Sequence, residues 1–354
     1  MTLRVLHLVG SVVSEFYCDL SRLYAQDCLN ATADPALYKF YIAYITPDRQ
    51  WRFPRDLSQE AIASATPQSF AEAVQTLTAL KIDVMVPQMF CLPGMTYYRA
   101  LFDLLNIPYL GNTPDAMALT ANKAKAKAIV AAAGVNVPTG ELLRPGDQPS
   151  INPPAVIKPV DVDNSQGVVL VKNRANYETA LQTAFAYSDE VIVEQFIELG
   201  REVRCGIIVQ NGQLICLPLE EYRMDSDRRP IRSHEDKLSR NQDGDLNTVA
   251  KDATKAWIVA PSDPVTERVW QVAKKCHIAL GCRHYSLFDF RIDPSGQPWF
   301  LEAGLYCSFA EKSVISMMAK ASGIPLQQLF QIVLTNSLSE DPKSAKLRTD
   351  DQLN

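Results

Sequence analysis

Apolar residues follow two rhythms along the first third of the chain. Short continuous runs (LRVLHLVG from Leu3, YKFYIAYIT from Tyr38, IDVMVPQMF from Ile82) alternate with stretches such as EFYCDLSRLYAQDCL and FAEAVQTLTAL, where apolar positions recur every three to four residues. The first rhythm belongs to strands buried on both faces and the second to amphipathic helices. Together they predict a parallel sheet covered by helices, a Rossmann-like lobe over residues 1–112. A helix from about Pro114 carries NKAKAKAIVAAA and closes at Gly134, a residue free to take the positive φ that ends helices.

Beyond it the rhythm shortens. The strands PAVIKPV, GVVLVK and EVIVEQFI surround one helical pattern, NYETALQTAFAYS, and predict a small α+β lobe over 113–198 that could move as a lid. REVRCGIIV and QLICLPLEEY then alternate like an antiparallel pair, joined at Gln210-Asn211-Gly212, a sequence that favours a tight hairpin. They open a third lobe over 199–338. Within it, residues 223–263 are highly charged with little apolar periodicity and predict a long functional loop that covers a site. The lobe continues with the helix VTERVWQVAKKCHIAL, the strands HYSLFDFRID and PWFLEAG around Asp293-Pro294-Ser295-Gly296, and a helix near SVISMMAKASG. A polar tail follows over 339–354. The expected class is α/β in three lobes.

Composition narrows the function. With 47% hydrophobic and 21% charged residues and a net charge of −5, the chain offers no electrostatic capture of nucleic-acid phosphates, so its partners are expected to be small molecules. The eight cysteines are scattered through apolar runs and read as reduced core residues rather than disulfides or zinc ligands. The first apolar stretch is too short to span a bilayer and has no small-residue cleavage site. It reads as a strand, which implies a cytoplasmic location without membrane attachment.

Three features carry candidate chemistry. Lys158 ends the apolar strand AVIKPV and precedes the Gly-containing loop DVDNSQG, so its charge and the loop amides could hold a phosphate; a lysine snorkelling at a strand end is the plain alternative. Asp289 and Glu302 lie on strands that a short turn makes adjacent. Two carboxylates on one face repel, and a divalent cation is the simplest compensator, unless one of them points into solvent. Finally, Glu194 in VIVEQFI and Glu202 in GREVR flank a hinge. There a purine could stack while backbone groups of Gln195, Phe196 and Ile197 read its edge, with Glu202 on ribose hydroxyls; simple loop charge is the alternative.

A lysine on a helix, a lysine before a polar Gly loop, an acidic hinge, a charged loop and an Asp/Glu hairpin, in this order, resemble the ATP-grasp superfamily and its D-alanine–D-alanine ligase branch. That resemblance implies MgATP, with Lys123 and Lys158 on phosphates and Asn164, Ser165, Gln166 and Gly167 in a phosphate-covering loop. It further implies Lys237 over the γ-phosphate, and Asp289 and Glu302 on Mg²⁺. In LHLVGSVVSEFYCDLS, Gly10, Ser11 and Glu15 match the family's first turn and its amine-binding Glu. Ser313, with Lys312, is expected to hold a substrate carboxylate, and the family is expected to form homodimers. Departures surround the acceptor side. Gly304 replaces a metal-binding Asn, Leu287 replaces an Arg whose charge Arg291 could supply from the face of Asp289, and Cys307-Ser308 replaces a Pro-Gly.

More specifically, VGSVVSEFYCDLSRLYAQDCL, TPDRQWRFP, PQMFCLPGM, GREVRCGI and DFRIDPSGQPWFLEAGLYCSFA are similar to the cyanobacterial ligases that join mycosporine-glycine to an amino acid. This likeness implies phosphorylation of a ring enaminone carbonyl and displacement of phosphate by the amine of serine or threonine. A dipeptide-forming carboxylate–amine ligase is the alternative. A nucleotide-binding protein without catalysis is a third reading.

Overall fold

The computed structural model describes residues 2–162, 165–227, 230–232, 238–240, 246–248 and 255–339, with the backbone alone for 238–240 and 246–248. Its first sheet contains β1 (Leu3–Gly10), β2 (Tyr38–Ile45), β3 (Trp51–Arg52) and β4 (Val84–Pro87) in the order β3-β2-β1-β4. β1 runs parallel to β2 and β4, while the two-residue β3 is antiparallel to β2. Helices α1 (Glu15–Thr32), α2 (Gln59–Ser64), α3 (Phe70–Leu80), α4 (Leu92–Met95) and α5 (Tyr97–Leu104) connect and cover it. β1 is buried from Val5 onward, as its unbroken apolar run predicts. At its end only glycine fits. Gly10 has φ +100°, and an added Cβ would stand 2.0 Å from the Ile45 carbonyl oxygen.

The helix expected to run unbroken from Pro114 is two helices, α6 (Pro114–Ala121) and α7 (Lys123–Ala132), parted at Asn122. Asn122 is extended (φ −99°, ψ 108°), and its side chain caps α7 by accepting from the Lys125 amide. The break frees the Lys123 amide to bond the Val160 carbonyl (2.8 Å) and so ties α7 to the next sheet. That sheet holds β5 (Gly140–Leu143), β6 (Ala155–Pro159), β7 (Val169–Val171) and β8 (Val191–Gln195) in the order β5-β8-β6-β7, with α8 (Tyr177–Phe185) packed on it through Ala180, Leu181 and Ala184.

The remaining elements are β9 (Arg201–Gln210), β10 (Gln213–Cys216), β11 (Glu220–Tyr222), β12 (Leu238–Arg240), β13 (Leu246–Thr248), β14 (Ala256–Ile258), α9 (Pro264–Ala279), β15 (Tyr285–Ile292), β16 (Pro298–Ala303), α10 (Val314–Ala321) and α11 (Leu326–Ser339). The sheet order is β14-β11-β9-β15-β16, with β10 paired to β9. The predicted hairpin forms, with Gln210 opposite Gln213 and positive φ at both Asn211 (52°) and Gly212 (73°). Two expectations need correction. Residues 223–263 are not loop throughout, because β14 adds to the edge of β11 and β12 pairs with β13; edge pairing uses backbone groups and needs no apolar periodicity. The helix near SVISMMAKASG is followed by α11, whose Leu329, Phe330 and Val333 pack in one core with Val5, Tyr38 and Val84 of the first sheet. Among the described residues no helix is long and apolar enough to cross a membrane, and no two cysteines form a disulfide.

Candidate active site

Side chains along β9 and β15 alternate between the core and an open cleft. Val203, Cys205, Phe288 and Phe290 enter the core, so the period of two sends Glu202, Arg204, Asp289 and Arg291 to the other face. Register decides how these four meet. Arg204 lies opposite Asp289 and Glu202 opposite Arg291. Arg204 donates to both carboxylate oxygens of Asp289 (Nε to Oδ1 2.6 Å, Nη2 to Oδ2 3.3 Å), and Arg291 donates to Glu202 (2.8 Å). Burial disfavours the Arg204 cation, yet Asp289 with Tyr222 and Glu220 outweighs burial and holds Arg204 well above the ordinary guanidinium range. Glu302 pairs directly with Asp289. The register shifts between Asp289 and Phe290, which leaves Leu301 as the extra residue of a bulge.

Residues of the second and third sheets line the cleft together. Lys123, Lys158, Ser165, Glu194, Gln195, Ile197, Glu202, Asp289, Arg291 and Glu302 all line it, so most of the predicted nucleotide and metal residues converge although they come from separate sheets. Lys123 opens α7 and donates to the Val162 carbonyl (2.6 Å). Ser165 and Gly167 sit in a turn with φ of 56° and 69°, and a Cβ on Gly167 would stand 2.7 Å from the Pro159 ring. Asn164 and Lys237 lie outside the described residues.

Glu194 is no exposed loop charge. It ends β8 at 1% exposure, held between Lys127 and Lys158, the latter at 2.8 Å. Burial alone would push its carboxyl up, but the two lysines outweigh burial and hold it below the ordinary range. Burial also pushes Lys127 down to about 8, opposed in part by Glu194. Lys127 escaped the sequence reading although it stands four residues after Lys123, a spacing that places both on one helix face.

Three further assignments change. Asp289 does not need a cation to offset Glu302, because Arg204 does so; Arg204 was visible in REVRC, two residues from Glu202 on one strand face. Arg291 does not supply charge to Asp289. It bonds Glu202 and the carbonyls of Ile197 (3.1 Å) and Pro230 (2.7 Å), with its guanidinium 5.2 Å from the Phe196 ring. The amides of Gln195 and Phe196 are bonded to the carbonyls of Thr139 (2.8 Å) and Pro154 (3.0 Å), so they do not face a base edge. Glu15, exposed in the first turn of α1, and Ser313, bonded to Ser316 (2.7 Å) at the start of α10, do not line this cleft.

The donor set suits a magnesium nucleotide. Lys123 and Lys158 line the same cleft as Asp289 and Glu302, and among the described residues no three His, Cys, Asp or Glu gather into a closed metal cage. A divalent ion would therefore combine Asp289 and Glu302 with phosphate oxygens.

The chain resembles known ligases in sequence and in fold. The family described as D-ala D-ala ligase C-terminus matches residues 148–335. The D-alanine–D-alanine ligase of Citrifermentans bemidjiense is 29% identical over 242 residues, which span 67% of this chain and 72% of that protein. The vancomycin B-type resistance protein VanB of Enterococcus faecalis is 27% identical over 308 residues, spanning 82% and 86%. Among solved structures, the D-alanine–D-alanine ligase of Coxiella burnetii superposes with a TM-score of 0.75 at 20% identity, covering 100% of both chains. The VanG D-Ala:D-Ser ligase of Enterococcus faecalis gives 0.76 at 21% identity, covering 95% of this chain and 100% of that one.

Proposed function

Because the chain belongs to the D-alanine–D-alanine ligase family of ATP-grasp proteins, we propose that it is an ADP-forming carbon–nitrogen ligase that phosphorylates a carboxylate oxygen and then joins the activated carbon to an amine. The observation that carries this reading is the single cleft in which Lys123, Lys158, Glu202, Asp289 and Glu302 meet. Lys123 and Lys158 neutralise phosphate charge, Glu202 accepts from ribose hydroxyls, and Asp289 with Glu302 holds Mg²⁺, which lowers the repulsion between phosphate oxygens and the attacking oxygen. The Ile197 amide and the hinge carbonyls read the base. Lys237 covers the terminal phosphate, Asn164, Ser165 and Gly167 cover the phosphates, and Glu15 holds an amine and Ser313, with Lys312, a carboxylate of one substrate.

A second reading keeps this chemistry and changes the oxygen. The acceptor end of β15 is apolar at Leu287 and roomy at Gly304, where an added Cβ would come no nearer than 4.0 Å to any atom. An apolar side chain at Leu287 and no side chain at Gly304 suit a ring carbonyl better than a second zwitterion and favour imino-mycosporine formation from mycosporine-glycine and serine or threonine. Both readings are tested by incubating the chain with MgATP and either D-alanine or mycosporine-glycine plus threonine, and measuring ADP. Release with D-alanine supports the dipeptide reading, release with the second pair supports the imine reading, and release with neither pair overturns both.

A further inference from the structure

Arg232 comes from the charged segment after β11, yet its side chain is only 9% exposed. Two contacts explain this. The guanidinium lies 3.7 Å from the centroid of the Tyr222 ring, and Arg291 anchors the same segment through the Pro230 carbonyl (2.7 Å). From there Arg232 reaches Asp289 at 3.5 Å, on the carboxylate that Arg204 already grips. Two guanidinium groups thus reach one carboxylate, whose cross-strand neighbour is Glu302, and the two arginines differ in attachment. Arg204 sits in the middle of a strand in direct register with Asp289, whereas Arg232 rides on a short strap over the cleft.

Position along β15 indicates what the second cation is for. Arg291 marks the Glu202 end of the cleft, and Asp289 lies two residues on, roughly 7 Å further at strand spacing. That is the step from a nucleotide's sugar towards its terminal phosphates. We propose that Arg232 is a catalytic residue that passes from Asp289 to the transferring phosphoryl group when the metal takes Asp289, while Arg204 stays behind to position the carboxylate. The inference rests on the nucleotide reading of the cleft. It makes Arg232 specific for the phosphate that ADP lacks.

The test is equilibrium binding, with Mg²⁺, of a β,γ-imido analogue of ATP and of ADP to the unaltered chain, Arg232→Met and Arg232→Lys, with thermal melting as a folding control. A lost charge-assisted bond predicts that Arg232→Met weakens the analogue roughly tenfold or more and ADP less than about threefold, with Arg232→Lys in between. Equal losses for both nucleotides, or no loss, overturn the proposal while leaving the ligase reading intact. Failure of the unaltered chain to bind either nucleotide overturns both. If Arg232→Met does not fold, the same analogue-to-ADP ratio measured on Arg232→Lys decides.

Discussion

Glu194 keeps its charge almost out of water because Lys127 and Lys158 face it from two different elements. If Lys158 turns towards a phosphate, Lys127 still holds the carboxylate ionised. The cleft thus keeps a fixed hydrogen-bond acceptor at Glu194. His7 shows the opposite economy. It lies fully buried on β1 beside Phe40, and among the described residues nothing bonds either ring nitrogen. Burial pushes His7 down to about 3 and His277 to about 4, both from 6.5. Below pH 6.5 the unfolded chain therefore binds protons that the folded chain refuses. The stability these residues allow is complete above pH 6.5 and falls as pH drops towards 4, by about 1.4 kcal/mol per pH unit for each histidine. His7→Leu should reduce the acid slope by one histidine's share; chemical denaturation between pH 6.5 and 4 with an unchanged slope would refute this.

Elements were readable to different depths. Strand runs, the Asn211-Gly212 turn and the Gly134 stop are local signals, because each depends on the conformational preferences of a few neighbouring residues. The break at Asn122 is not local. NKAKAKAIV favours continuous helix, and the interruption is stabilised by the Val160 carbonyl, which reaches Lys123 only once β6 is in place. Asn122→Ala should remove the cap of α7 at a cost of about 1 kcal/mol in a urea melt, and should raise the KM for ATP more than it lowers kcat, because Lys123 opens that helix. A melt midpoint and KM both equal to those of the unaltered chain would argue against it.

At the scale of the whole molecule, the connection between the first sheet and the last is polar as well as apolar. Fully buried Asn112 donates to the carbonyls of Tyr285 (2.9 Å) and Leu305 (3.2 Å) and accepts from the Arg283 amide (2.8 Å). Gln88, at the end of β4, donates to the Ser308 carbonyl (3.0 Å). These bonds fix the segment around Leu305 and Ser308 against the strand ends of the first sheet. Asn112→Ala should destabilise by about 3 kcal/mol, because it strands three backbone groups away from water. A loss below about 1 kcal/mol in denaturant titration would mean that other contacts hold the two parts together.

Alternation along REVRC and LFDFRID was enough to place Glu202 with Arg204 and Asp289 with Arg291 on single strand faces, since a strand's period of two depends only on the backbone of neighbouring residues. Which charge meets which was decided elsewhere. The register of β9 on β15 sets Arg204 against Asp289, the bulge at Leu301 sets Glu302 beside it, and the packing of α7 against β16 and α9 brings Lys127 to Glu194. The first and last of those partnerships join residues dozens of positions apart. They arise from the sum of all contacts that align the strands and helices, and no single segment contains that information.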